Sequence, residues 1–134
     1  MTFELWMALA AAGLLFLAVN YQAVIGIGVY GLIAQIGPRD GRYEFPNVIG
    51  RGQRAVRNHI EAMAMFIPVV LIAHLAGISN EWTRWGALTF ILCRTLYLPA
   101  YWSGIPAVRT LLFSAGLMST VAIALPILLP SLFA

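Results

Sequence analysis

Residues 54–61 place arginine, asparagine, histidine and glutamate side chains at the start of a long uncharged segment. Helical spacing puts Arg54, Asn58 and Glu61 on one face, at i, i+4 and i+7, and Arg57 lies four residues before Glu61. Polar groups at the mouth of a membrane helix are costly unless they have partners, so they usually mark a functional site. The pattern predicts a surface that offers cations, an amide and a carboxylate together.

A single arginine, Arg94, lies near the middle of a later apolar segment, eight residues before Trp102 and hence about 12 Å deep along a helix. An unpaired arginine at that depth costs at least ~2.5 kcal/mol, so it must face a partner or a polar cavity. Glu61, the one acid within a predicted span, is the expected partner. The alternative to a ligand site is a purely structural Arg94–Glu61 pair that holds two helices together.

Two tyrosines and one more arginine extend this polar face. Tyr97 and Tyr101 follow Arg94 at i+3 and i+7, and their hydroxyl groups can donate to an anion. Arg109 falls in the first turn of the next predicted helix, where a cation opposes the positive end of the helix dipole. An anion bound at that helix start would explain it. The alternative is a positive-inside anchor.

The composition indicates an integral membrane protein. Hydrophobic residues make up 61% of the 134 residues and charged residues 10%, far outside the range of soluble proteins. The eight cations are all arginine, which favours anion recognition but also fits a genome that prefers arginine codons. The net charge of +3 is too small to indicate nucleic-acid binding. With one cysteine, Cys93, an intrachain disulfide is excluded.

Hydropathy and helix-stop signals predict an all-α, four-helix transmembrane bundle in a single domain, 1–134. The predicted spans cover about 5–36, 58–76, 82–102 and 107–125, with a loop at 37–57. Arginine is concentrated in that loop and near the start of the fourth span, at positions Arg39, Arg42, Arg51, Arg54, Arg57 and Arg109, whereas the opposite side has Arg84. Positive-inside bias therefore predicts a cytoplasmic loop 37–57 and both termini outside.

Two apparent cofactor motifs are not supported by their context. His59 and His74 are 15 residues apart, about 22 Å along one helix, and cannot bind the same metal ion within a subunit. The GxGxxG match at 26–31 lies inside a membrane span with no preceding strand, so we expect no dinucleotide site there. No metal and no redox cofactor are expected.

With both groups of residues in order, the chain resembles the MAPEG family, the membrane-associated proteins in eicosanoid and glutathione metabolism, and in particular its bacterial branch. The first motif stands here as Arg54, Arg57, Asn58 and Glu61, and the second as Arg94, Tyr97, Tyr101 and Arg109. The likeness covers nearly the whole chain. Ala62 departs from it, because several relatives have an aromatic residue after the glutamate, and this puts the substrate in doubt more than the fold.

The resemblance implies a homotrimer in the bacterial inner membrane that binds glutathione as a co-substrate between subunits, in a site facing the cytoplasm. It implies that glutathione is bound by Arg54, Arg57, Asn58, Glu61, Arg94 and Tyr97. It implies that Arg109 stabilises the glutathione thiolate, with Tyr101 beside it as the second catalytic residue. The expected activity is that of a membrane transferase or peroxidase acting on lipophilic electrophiles that arrive from the bilayer.

Two other readings remain open at this point. One is a non-catalytic protein that binds a lipid or another anion in the same cavity, since some family members bind lipids without catalysis and a fold alone does not establish an enzyme. The other is a small structural subunit of a larger membrane complex, packed through small-residue helix faces.

Overall fold

The computed structural model describes residues 1–37 and 47–133, without the side chains at positions 34 and 35. Every regular element in these ranges is helical. The helices are α1 (Phe3–Tyr30), α2 (Leu32–Ile36), α3 (Asn47–Leu75), α4 (Glu81–Ser103) and α5 (Pro106–Leu128), followed by a 3₁₀ turn (Pro130–Leu132). The prediction of an all-α chain with four long helices is confirmed.

Three of the long helices are long and apolar enough to cross a membrane, namely α1, α3 and α5. At 28 residues, α1 is about 42 Å long, well beyond the ~30 Å hydrocarbon core of a bilayer. The remaining long helix, α4, corresponds to the third predicted span at 82–102 and is less apolar because it carries Glu81, Arg84 and Arg94. Of the four membrane spans that the sequence predicts, three therefore correspond to helices with the length and composition of a span.

Helix α3 begins at Asn47, well before the predicted start of the span at 58. The arginines at 51, 54 and 57 consequently lie on a helix and not in the predicted loop. Arg39 and Arg42, the other arginines of that loop, lie outside the described residues. The helix extension is reasonable because residues 47–57 contain no proline, and an amphipathic start can continue an apolar helix without a break.

The two ends of α4 are fixed by local hydrogen bonds. Asn80 Oδ1 accepts from the Thr83 backbone N–H at 3.1 Å, and Thr83 Oγ1 accepts from the Asn80 N–H at 2.9 Å, so the two residues form a capping box at the start of α4. At the other end, Gly104 has φ +79°, a left-handed conformation that suits glycine. This turn joins α4 to α5 and sets the position of the first turn of α5.

Helix α4 is the centre of the bundle, since it packs against α1, α3 and α5, most extensively against α5. A close approach of α4 and α5 depends on Gly86, where a Cβ would lie 2.6 Å from Ile123 Cγ1 and 3.0 Å from the Ser119 carbonyl oxygen. One core cluster, around the stacked rings of Phe66 and Phe90, joins the helices on the Gly86 side. A second cluster surrounds Tyr97 and holds the other end together.

A buried carboxylate ties α1 to the start of α4. Glu4 is 2% exposed and accepts hydrogen bonds from the hydroxyl groups of Ser79 and Thr83. Glu4 lies just outside the predicted span at 5–36, yet its carboxylate is buried between α1 and the start of α4, which the sequence analysis did not predict. The sequence did not reveal this burial because Glu4 stands near the chain start, where an acid in a first helix turn needs no partner.

We expect Thr83→Val to lower the free energy of unfolding by about 1.5–3 kcal/mol, since the buried Glu4 carboxylate would lose a hydroxyl donor. Thermal unfolding in mild detergent measures the effect. Thr95→Val on the same helix is the matched control, because the Thr95 hydroxyl is exposed and bonds only the Ile91 carbonyl. Equal losses in the two variants would contradict the proposed role of the Glu4 contact.

Candidate functional site

Arg94 lies at the inner end of a polar and aromatic cluster that joins α3, α4 and α5. Arg94 is 1% exposed, and its Nη1 donates a hydrogen bond to Asn58 Oδ1 at 3.0 Å. Three aromatic rings surround the guanidinium, whose carbon lies 5.1 Å from the Tyr97 ring centroid and 5.5 Å from those of Phe90 and Phe113. Cation–π contacts of this kind partly replace the water that a buried guanidinium loses.

The predicted Arg94–Glu61 pair is wrong in this structure. Glu61 Oε1 instead accepts from Arg57 Nε at 3.3 Å, one turn earlier on α3, and the two side chains are 84% (Arg57) and 58% (Glu61) exposed. A pair with Arg94 would require Glu61 to leave this exposed face and lose its water. Asn58 satisfies the buried Arg94 donor without burying a second charge, which is the less costly arrangement.

A glycine on α5 makes room for the Arg94 guanidinium. A Cβ built at Gly116 would lie 3.5 Å from both Nε and Nη2 of Arg94, so the guanidinium rests directly against the α5 backbone. Arg94 Nε has no hydrogen-bond partner among the described residues. A Cβ at position 116 would meet the guanidinium at ordinary van der Waals distance, so an alanine there would pack against Arg94 without displacing it.

The second part of the cluster runs along α4 to the start of α5. Tyr97 and Tyr101 have ring centroids 5.5 Å apart, and both residues are buried. The Arg109 guanidinium carbon lies 4.9 Å from the Tyr101 centroid. Since Arg109 stands in the first turn of α5, the structure places it where a cation opposes the helix dipole, as the sequence predicted.

These contacts bring five of the eight predicted site residues into one connected group. The group consists of Asn58, Arg94, Tyr97, Tyr101 and Arg109. The other three, Arg54, Arg57 and Glu61, are exposed on α3. The structure thus separates an enclosed aromatic and cationic row from an exposed polar face, and Asn58 is the residue that belongs to both.

We expect Glu61→Gln to leave stability within about 1 kcal/mol of wild type, because an exposed ion pair contributes little to folding. If Glu61 contacts the ammonium group of a ligand, the same variant weakens ligand binding. Thermal unfolding and calorimetric titration with glutathione separate the two effects. A large loss of stability would show that Glu61 has a buried partner after all.

Three polar residues near the turn between α4 and α5 were missed by sequence reasoning. Gln22 of α1 donates from Nε2 to the Ile49 carbonyl at 3.3 Å, and Arg51 lies so close to Gly104 that a Cβ there would be 2.5 Å from Arg51 Nη1. Trp102 packs against the Tyr21 ring at 4.5 Å between centroids. The sequence did contain one signal for this contact. Gln22 is a polar amide inside an apolar segment, and such residues usually have a hydrogen-bonding partner.

The histidines lie in different surroundings. His59 is fully buried, with Nε2 3.1 Å from the Ala11 carbonyl oxygen, and joins α3 to α1. His74 is exposed near the far end of α3. Neither lies in the row from Arg94 to Arg109 described above.

In a comparison with protein families, the model of the MAPEG family matches residues 3–129. The matched range contains all four long helices and every residue of the cluster. No curated protein and no solved structure matches the chain.

Proposed function

The chain belongs to the MAPEG family, and on that premise we propose that it is a glutathione-dependent membrane transferase or peroxidase. Members of this membrane-bound family are glutathione-related transferases and peroxidases or leukotriene synthases. The observation that supports the proposal most directly is the contact of Arg109 with Tyr101. This contact continues through Tyr97 and Arg94 to Asn58, so the five side chains form one connected row.

The residues of the cluster match the chemistry of glutathione, which has two carboxylates, one ammonium group and one thiol. Arg54 and Arg57 are exposed and can bind carboxylates through paired N–H donors. Glu61 suits the ammonium group, and Asn58 adds an amide beside it. In this proposal Tyr97 lines the site from α4, and the tripeptide lies across the exposed face of α3.

In the proposed mechanism Arg109 stabilises the thiolate form of the bound thiol. A thiol beside an arginine and a helix N-terminus loses its proton more readily, and the thiolate is the attacking species. The first backbone N–H groups of α5 have no helical partners, so the helix start itself favours an anion. Tyr101, packed on Arg109, can donate its hydroxyl to charge that develops as the thiolate attacks the electrophile.

The electrophile in this proposal is a lipophilic compound or a lipid hydroperoxide that enters from the bilayer. In transfer, the sulfur forms a bond to the electrophilic carbon and a leaving group departs. In peroxide reduction, the sulfur attacks one peroxide oxygen, the O–O bond breaks, and the alcohol leaves with a proton, so that glutathione becomes a sulfenic acid. The thiol of a second glutathione then displaces water from this sulfenic acid and forms the disulfide. Both reactions require the same thiolate, so one site can support both.

The proposal includes a homotrimer with the site facing the cytoplasm of a bacterial cell and both chain termini outside. Exposed apolar side chains, such as Leu9, Phe16 and Leu92, leave ample surface for contact with lipid or with further copies. The exposure of Arg57 and Glu61 in one chain is consistent with a ligand held between subunits.

Calorimetric titration with glutathione, followed by turnover assays with an aryl halide and a lipid hydroperoxide, tests the proposed function. We expect saturable binding and glutathione-dependent turnover in detergent or nanodiscs. Binding without turnover on either substrate would instead favour a non-catalytic lipid- or anion-binding protein. A stoichiometric partner that copurifies in mild detergent, with no glutathione binding, would favour a subunit of a larger membrane complex.

A further inference from the structure

The Arg94 cation is enclosed without a counter-ion in the part of the chain that the structure describes. Its neighbours are the side-chain oxygen Oδ1 of Asn58, three aromatic rings and Gly116 of α5. A residue that is 1% exposed cannot reach the open face of α3 where Arg57 and Glu61 lie. Its hydrogen bond to Asn58 is the contact that links it to a residue of that face.

The hydrogen bond between Arg94 and Asn58 fixes which way the amide faces. A guanidinium has only donors, so the amide atom that meets Arg94 Nη1 must be Oδ1. The amide nitrogen Nδ2 then lies on the far side of the amide carbon. Within residues 1–37 and 47–133, Nδ2 makes no hydrogen bond, and Asn58 is only half-buried.

The far side of the amide is the predicted binding face. Arg54 lies four residues before Asn58 and Glu61 three residues after it, so helical spacing places the three on one face of α3. An amide held with N–H outward adds a neutral donor beside the arginines. An amide turned the other way would present an oxygen to a bound carboxylate and repel it.

We infer that Arg94 is a positioning residue that holds the Asn58 amide with Oδ1 inward, so that the Asn58 N–H group donates to a carboxylate bound on α3. This inference rests on the proposed function, which identifies that carboxylate as belonging to glutathione. It assigns Arg94 no direct contact with the ligand. The aromatic rings and Gly116 keep the guanidinium in place, and a lysine ammonium lacks the planar shape to stack in the same way.

Asn58→Asp tests the orientation of the amide. An aspartate keeps an oxygen for Arg94 and gains an ion pair, so we expect a melting temperature equal to or above that of wild type. Its second oxygen replaces the outward N–H donor, so glutathione affinity should fall about 10- to 100-fold. Unchanged affinity in a stable Asn58→Asp protein would overturn the inference, since it would show that the pair is merely structural.

A double-mutant cycle tests whether Arg94 acts through Asn58. Arg94→Met fills the space between the rings with a side chain that packs well on aromatics, and it releases the amide. We expect a several-fold loss of glutathione affinity in Arg94→Met, and no further loss when Arg94→Met is added to Asn58→Asp. Additive losses would show an independent contact of Arg94 with the ligand and would contradict the inference.

An NMR experiment tests, without any ligand, whether Arg94 holds the Asn58 amide. The chain has four asparagines, Asn20, Asn47, Asn58 and Asn80. In protein labelled with ¹⁵N-asparagine, Asn58→Asp identifies the Asn58 side-chain N–H signals. We expect Arg94→Met to shift or broaden those signals and to leave those of Asn20 unchanged, and an unchanged Asn58 signal would overturn the inference.

Together, the three experiments distinguish failure of the Arg94 inference from failure of the proposed function. If the wild-type protein does not bind glutathione, the proposed function fails and the ligand part of the inference fails with it. The Asn58 signals still report whether Arg94 holds the amide. If glutathione binds and the cycle is additive, the proposed function stands and the positioning role of Arg94 is rejected.

Discussion

Replacing Arg109 with alanine should lower glutathione-dependent turnover by about 100-fold while leaving glutathione binding largely intact. Arg109 packs on Tyr101 in the first turn of α5, away from the exposed α3 side chains that suit the carboxylates. Its loss should therefore remove stabilisation of the thiolate and of the transition state, and little of the ground-state binding. Steady-state kinetics and calorimetric titration on the same preparation measure both quantities.

Arg84→Ala is the matched control for this variant. Arg84 is also an arginine in the first turn of a helix, but it is exposed on α4 and pairs with Glu81 at 3.5 Å. We expect turnover and binding in this control to match wild type. If Arg109→Ala and Arg84→Ala behave alike, Arg109 acts only as a surface anchor and the proposed mechanism loses its central residue.

We expect Gly86→Ala to lower the free energy of unfolding by about 1–3 kcal/mol. The added Cβ would lie 2.6 Å from Ile123 Cγ1 and 3.0 Å from the Ser119 carbonyl oxygen. Ile123 is fully buried and the carbonyl belongs to the α5 backbone, so neither can move aside cheaply. Because α4 and α5 also carry Arg94, Tyr101 and Arg109, the variant should reduce turnover together with stability.

Gly13→Ala is the control, since within the described ranges a Cβ at Gly13 would meet nothing within 4 Å beyond the adjoining backbone of its own helix. Alanine is favoured over glycine inside a helix, so this variant should be as stable as wild type or more stable. Thermal unfolding in the same detergent compares the two. A Gly86→Ala protein as stable as Gly13→Ala would mean that α4 and α5 are not in close contact at this point.

The sequence was sufficient to predict that several polar and aromatic side chains of α4 share one face. Spacing alone placed Arg94, Tyr97 and Tyr101 on one helix face, and the structure joins them to Arg109. The apolar segments likewise predicted the long helices, because a run of about 20 apolar residues between turn signals has few other solutions. These features depend on local periodicity, which a single sequence displays directly.

The partners of the charged residues could not be predicted in the same way. The choice of Asn58 over Glu61 for Arg94 depends on the depth at which α3 and α4 cross, which no local pattern encodes. The burial of Glu4 depends on Ser79 and Thr83, which come together with it only after α1 packs on α4. The early start of α3 also escaped prediction, because arginine-rich residues 47–57 read equally well as a loop.

The central claim is that the start of α5 activates a bound thiol. The most direct measurement is the ultraviolet absorbance of thiolate on rapid mixing of purified protein with glutathione, with Arg109→Ala run in parallel. We expect a stoichiometric thiolate signal in wild type that is absent in Arg109→Ala at saturating glutathione. A wild-type protein that binds glutathione without any thiolate signal, or an equal signal in the variant, would contradict it.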